Sequence, residues 1–509
     1  MRTPILGSSY VTRSVNAADN RMVNLFPEVI PEGGKEPGFL NRAPGLNFLQ
    51  TVGTGPIRGL WVAKISTSVF YVVSGVEVYK LSSTTGTPTL IGTVSGTGPV
   101  SIADNGAQIF FACNGPSFIY NINTDVFGPI TDPDFPGAVT VGFLDGYFVF
   151  NEPNSQKIWV TALLDGYDIN ALDFASAEGS PDGLVAVNVD HREAWLFGSD
   201  SVEVWYDAGL ADFPLTRIQG AFNELGCAAA FSVAKLDNTL FWLGTDARGQ
   251  GIVYKANGYN GQRVSTHAVE WQIQQYGNIS DAIAYTYQQD GHSFYVLTFP
   301  SANATWVYDA ATQAWHERAG WDNGSFTRHR SNCQCNFVGN IIVGDYQNGN
   351  IYTLDLDTYA DNGQIQRWLR SWRALPTGTN TLKRTAQHSL QLDAQAGALL
   401  TPITEYVYLT TEDGFKLITE SYDNLVDETT LSVNPPPQFM LRWSDDGGHT
   451  WSNEHWAQGG AVGAYGTRIF WRRLGMTLKL RDRVYELSGT DPIQIAIMGA
   501  ELAMSPTNA

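Results

Sequence analysis

The sequence predicts an all-β protein: a β-propeller of six to eight blades with a second β domain. Three observations point there. A strand–turn–strand phrase with Asx-Gly turns recurs through residues 56–361. Each copy closes on an aromatic residue, and these aromatics are spaced 39–54 residues apart, the interval of propeller blades. Aromatics at 12% and 51 glycines among 509 residues suit many short strands joined by tight turns.

Residues 1–55 carry Pro4, Pro27, Pro31, Pro37 and Pro44 and few alternating runs. They are expected to form an extended arm that packs on the C-terminal domain, since chain ends often meet. The repeat is clearest in Val100–Ala103, the turn Asp104-Asn105-Gly106, Ile109–Cys113, a turn at Asn114-Gly115, and Phe118–Asn121. It returns around Asp145-Gly146, Asp190-His191, Asp237-Asn238, Asp290-Gly291 and Gly339-Asn340. The closing aromatics are Tyr79, Tyr120, Trp159, Tyr206, Tyr254, Tyr308 and Tyr352. Stretches such as Pro88–Ile91 and Ala314–Arg318 supply a fourth strand per blade. One such unit is apolar on both faces, so it needs neighbours to bury it.

After Asp361 the repeat stops, and residues 362–509 read as a C-terminal β domain. Arg367, Arg370, Arg373, Lys383 and Arg384 alternate there with Trp368, Trp372 and Leu375. Period-two stretches follow at His388–Asp393, strand with turns is expected over 414–423, and Pro435–Pro437 break the chain before Gln438–Ser444.

Charge narrows the function classes. The net charge is −19, from 31 Lys+Arg against 50 Asp+Glu, which opposes coating of nucleic acid or anionic membrane. It does not oppose a wall past which DNA slides without sticking. Four cysteines, Cys113, Cys227, Cys333 and Cys335, make no disulfide framework and suit a reducing cytosol. Cys333-Gln334-Cys335 lacks a second Cys/His pair, so the two thiols read as flanking a strand residue. No run approaches the ~18 apolar residues of a membrane span, and the N-terminus has no signal-peptide pattern.

The sharpest local motif is Ser444-x-Asp446-x-Gly448-x-Thr450-Trp451, which resembles the Asp-box of sialidases. Asp446 is placed to accept turn amides, Gly448 to take unusual backbone angles, and Trp451 to anchor the hairpin in the core. That box is a structural turn in its family, so the single copy here predicts a hairpin. A sialidase-like enzyme would also need clustered arginines and carboxylates. Arg58, Arg192, Arg217 and Arg248, with Glu193, Glu203 and Glu224, show no distinctive spacing. Phosphate-loop, serine-elbow and zinc-helix motifs do not occur in the sequence, and His191/Glu193 and His316/Glu317 receive no role. The basic stretch Arg468-Ile-Phe-Trp-Arg472-Arg473, with Lys479, Arg481 and Arg483, stands out on an acidic chain. Its arginines are assigned to an interface with an acidic partner or a neighbouring copy, ahead of a solvated face and of DNA contact.

The terminal phrases resemble a known family. Arg442-Trp-Ser-Asp-Asp-Gly-Gly-His-Thr-Trp, Gly463–Gly475, Arg483–Ser488 and Gly499–Leu502 look like the closing segment of packaged-DNA-stabilisation, or tail-nozzle, proteins of podovirus-type phages. Gly7–Tyr10, Asn24–Glu28, Pro44–Leu46 and Gly55–Gly59 resemble its opening, and Phe197–Tyr206 its middle. The resemblance implies a virion structural protein, assembled in the bacterial host cytoplasm, with no catalytic residue, cofactor or metal. It implies a homo-oligomeric ring, usually of six copies, below the portal and adaptor, meeting a distal plug, needle or tailspike. That ring would retain packaged DNA and form part of the ejection channel. Two rivals stand beside it: a propeller glycosidase or capsule depolymerase, and a receptor-binding tail protein.

Overall fold

The structure is a computed structural model. It describes residues 1–14, 18–64, 68–177, 179–210, 213–246, 249–379, 384–399, 403–405, 410–412, 431–433, 436–460, 467–478 and 483–507. The chain divides into two compact units, one of residues 8–25 and 43–366, the other of 1–7, 26–42 and 367–509.

The larger unit is a seven-bladed propeller. Blade 1 consists of Ile57–Val62, Phe70–Ser74, Glu77–Leu81 and Thr89–Thr93, paired in that order. Blades 2, 3 and 4 begin at Ser101–Asp104, Val141–Leu144 and Leu184–Asp190, and each is likewise an antiparallel meander of four strands. Blade 5 opens with Ala234–Leu236 and blade 6 with Ile283–Gln289. Blade 7 holds Ser331–Phe337, Asn340–Asp345 and Asn350–Asp355. All seven closing aromatics lie on the third strand of a blade. The periodicity therefore marked one position per blade.

In blades 3 to 7 the first hairpin turns tightly because its residues take left-handed backbone. Asp145-Gly146 and Asp290-Gly291 have φ of 45° and 107°, and of 47° and 81°. Two consecutive positive φ values match the right-handed twist of the flanking strands.

Apolar residues from consecutive blades form shared cores. Ile109 and Phe111 of blade 2 meet Tyr71 and Val73 of blade 1. Phe110 of blade 2 meets Phe148 and Phe150 of blade 3, its ring 5.4 Å from that of Phe148. Burying each such side chain contributes about 1.5–3 kcal/mol, so every blade depends on both neighbours. The ring closes where Phe337, Ile342 and Ile351 of blade 7 pack on Ile57, Phe70 and Val72 of blade 1.

Closure corrects the expected arm. Gly45–Thr51 is the outer strand of blade 7, antiparallel to Asn350–Asp355. Residues 8–25 also lie in the propeller unit, where Ser9 N donates to Trp315 O at 2.7 Å and Arg21 pairs with Glu317 at 2.8 Å. Only 1–7 and 26–42 belong with the C-terminal residues. The physical reason is blade 7 itself: three strands end in an open edge, and an early segment of the chain covers it.

Among the described residues, the smaller unit holds a two-stranded sheet of Ile403–Glu405 and Leu431–Val433 and two main sheets. One joins Thr385–Leu399, Ile493–Pro506, Ile469–Arg472, Gly38–Arg42 and Leu25–Val29, with Arg2–Thr3 on its side. The other orders Trp368–Arg373, Val484–Gly489, Gln438–Ser444 and His455–Gln458. Trp372 Nε1 donates to Thr3 Oγ1 at 3.0 Å, and Tyr485 OH donates to Gln387, so the sheets face each other as a sandwich. The strand expected at 414–423 lies outside the described residues. No helix among the described residues is long and apolar enough to cross a membrane.

Candidate interaction site

The Asp-box residues form one hydrogen-bonded turn between Gln438–Ser444 and His455–Gln458. Asp446 Oδ1 accepts from the amides of His449 at 3.0 Å and Thr450 at 2.8 Å, and Oδ2 accepts from Thr450 Oγ1 at 2.6 Å. Ser444 Oγ donates to Asp446 at 2.6 Å and accepts from Gly448 N at 2.7 Å. Gly448 has φ of 100°, which a side chain would strain. The donors from Ser444 and Thr450 hold the Asp446 carboxyl well below the ordinary carboxylate range.

Trp451 does not enter the core as expected. It is half-buried, with the Arg442 guanidinium 4.8 Å above its ring. Anchoring falls to Arg483 instead. Arg483 Nε and Nη2 donate to the two carboxylate oxygens of Asp445 at 2.7 and 2.8 Å, and Nη1 reaches Leu474 O. The guanidinium also lies 5.0 Å over Trp443. Arg483 is 1% exposed, so it is an internal clamp and leaves the predicted interface. Sequence alone showed a basic residue in a basic stretch; only the fold brings residues 445 and 483 together.

Arg468, Arg472 and Arg473 are exposed on or beside the edge strand Ile469–Arg472. The Arg472 guanidinium lies 4.9 Å over Phe470, and Arg473 N donates to His388 O at 2.8 Å. Arg481, Lys479 and Lys383 lie outside the described residues.

In the propeller, charged turn residues bind blade to blade. Trp61 Nε1 of blade 1 donates to Asp104 Oδ2 of blade 2 at 2.8 Å. Arg192 Nε of blade 4 donates to Asp145 of blade 3 at 2.8 Å, and Lys235 of blade 5 pairs with Asp190 of blade 4. Gln288 of blade 6 donates to Asp237 of blade 5 at 3.2 Å. By sequence these aspartates are turn formers; their second role needs the neighbouring blade.

Among the described residues, the arginines that an enzyme would need to cluster are not gathered. Arg58 is buried and donates to the carbonyls of Gly98, Gly75 and Ser95. Arg192 is taken by Asp145, and Arg217 lies 3.6 Å from Glu203. Arg248 is outside the described residues. Glu193 accepts from Tyr259 OH, and Glu203 accepts from Trp205 Nε1 and Gly179 N. His316 is fully buried, while Glu317 serves Arg21. Cys333 and Cys335 stand two apart on Ser331–Phe337 with free thiols.

At the ring axis lies a cavity of about 510 Å³, lined by Arg58, Trp61, Asp104, Phe143, Asn188 and Asn332. Its volume is that of a small-molecule pocket.

A propeller and a β-sandwich, with charged residues committed to turns and blade seams, define a two-unit all-β protein. The chain matches the family described as bacteriophage P22 Gp10, β-propeller, over residues 1–359, and bacteriophage P22 Gp10, β-sandwich, over residues 423–505. It belongs to that family of phage tail-nozzle, DNA-stabilisation proteins. No curated protein matches it. A solved structure titled the crystal structure of the mitotic checkpoint complex aligns with a TM-score of 0.41 and 12% identity, covering 65% of this chain and 98% of that one. Another, of the N-terminal domain of Nup159, aligns at 0.37 with 9% identity, covering 64% and 97%.

Proposed function

We propose that copies of this chain assemble into a ring, of six copies by family resemblance, that joins the portal–adaptor assembly to the distal tail. The ring retains the packaged genome and later lets it pass. The observation that carries this reading is the family match, which runs through most of the propeller and most of the sandwich. Two physical features support it. The axial cavity of one propeller, about 510 Å³, has the volume of a small-molecule pocket, which favours a DNA path between copies over one through a blade ring. The net charge of −19 suits a wall that repels phosphates, past which DNA slides without adhering. The Asp-box is a clamped turn with every carboxylate oxygen of Asp446 occupied, so it lends no support to hydrolysis.

The deciding experiment is the DNA content of particles made without this chain. Heads that package DNA and then lose it support the nozzle. Full particles that fail to attach to cells would make the chain a receptor-binding or depolymerase component.

A further inference from the structure

Two patches of opposite charge carry exposed apolar side chains. The first is the loop 162–173 between the third and fourth strands of blade 3. It contains Asp165, Asp168 and Asp173 and no basic residue. Leu163, Leu164 and Leu172 stand 60%, 59% and 76% exposed on it. Loops of soluble proteins seldom present three such leucines within ten residues without a use.

The loop is also held in an unfavourable shape. Leu164 has φ of 60°, a conformation that L side chains rarely adopt. Neighbours enforce it: Leu164 N donates to Gly146 O at 2.7 Å, and Asn105 Nδ2 donates to Leu164 O at 3.2 Å. Ala162 N closes the loop onto Asp168 O at 2.8 Å. These contacts hold the loop, and its exposed leucines, in one fixed shape. The Asp173 carboxyl is raised by partial burial and by Asp168, so this acidic pair gains from an incoming cation.

The second patch is the segment 468–478 of the sandwich unit. It contains Arg468, Arg472 and Arg473 and no acidic residue. All three arginines are exposed, and Met476 and Leu478 beside them are 51% and 55% exposed. Arg473 too sits at positive φ, 60°, with its amide fixed on His388. Each patch thus offers what the other lacks: leucines among aspartates, and a methionine and a leucine among arginines.

We propose that the 468–478 segment of one copy docks on the 162–173 loop of the next copy. Because the two surfaces differ, the contact is heterologous, the type that generates rings when its rotation closes. Apolar contacts supply the affinity and the charge pairs fix the register. The proposal deepens the nozzle reading and rests on it for the ring.

A charge swap tests it on the full-length chain, with self-association followed by sedimentation and native mass spectrometry. Arg472→Glu with Arg473→Glu, and separately Asp168→Arg with Asp173→Arg, should each weaken assembly at least tenfold. In an equimolar mixture of the two variants, alternating copies meet with opposite charges at every contact, as the quadruple variant does with itself, so both should regain assembly. Circular dichroism checks that each variant is folded. A wild-type chain that stays monomeric at the highest concentration reached, either double variant assembling like wild type, or a folded quadruple variant that fails to regain assembly each overturns the proposal. Loss of DNA binding by the arginine variant with unchanged assembly also overturns it, and gives the patch to nucleic acid. Particles that keep their genome without the chain would instead refute the nozzle reading and leave the self-association result standing.

Discussion

Arg483 grips Asp445 through two parallel hydrogen bonds of 2.7 and 2.8 Å, from a position where its side chain is 1% exposed. Bidentate geometry and burial make this pair strong, and they make its loss costly because a charge is left behind. Arg483→Ala should destabilise the sandwich by about 3–5 kcal/mol. The exposed Arg472→Ala should stay within about 0.5 kcal/mol. Thermal unfolding of both variants checks the contrast, and equal effects would refute the clamp.

The Asp446 turn should respond to acid in a defined direction. Its folded carboxyl titrates well below the ordinary value of about 3.9. The stabilisation it supplies is therefore complete above that unfolded value and is lost as pH falls through the folded one. Asp446→Ala should cost about 1–2 kcal/mol at pH 7 through lost charge-assisted hydrogen bonds. The gap to wild type should narrow below about pH 4. Melting temperatures of the two proteins from pH 7 to 3 read this out; a gap that widens on acidification would contradict it.

Ring closure depends on a close backbone approach at Gly45. A Cβ there would fall 2.4 Å from Thr358 O and 2.5 Å from Ala360 O, both backbone atoms that cannot step aside. Gly128, on the outer strand of blade 2, has nothing within 4 Å of the same added atom. Gly45→Ala should lower the propeller's melting temperature by several degrees, consistent with about 1–3 kcal/mol of overpacking. Gly128→Ala should be neutral or slightly stabilising. Differential scanning calorimetry separates the two, and an unperturbed Gly45→Ala would mean that the closing strand sits differently.

The thiols should be inert in the folded protein. Burial pushes Cys113 and Cys227 up to about 11, and Cys335 up to about 12, while Cys333 is raised further. At pH 8 the native chain should react with a thiol reagent at well under one group in minutes, and at all four after denaturation. Rapid native labelling at Cys333 or Cys335 would reopen a redox or metal role for that pair.

Much of the fold was legible because propeller physics is local and repetitive. A blade must bury both faces, so apolar strands, Asx-Gly turns and a closing aromatic recur at similar intervals; Tyr79 through Tyr352 pointed to six to eight blades, and the fold has seven. The same repetition hid the closure. Gly45–Thr51 looks like an irregular proline-rich lead, and nothing local marks it as the strand that blade 7 lacks. Trp451 and Arg483 were exchanged in role for a related reason. An aromatic after a tight turn reads as an anchor, yet burial depends on what lies opposite, and Asp445 lies opposite Arg483.

The sequence by itself determined the class of fold, the blade register, the Asp-box turn and the acidic character, since each follows from short-range pattern or from composition. Tertiary structure alone decided which segment closes the ring, which aspartates bridge blades, and which arginines face solvent. Those outcomes pair residues tens or hundreds of positions apart. Their partners are chosen by packing and desolvation in three dimensions, and no local pattern encodes that choice.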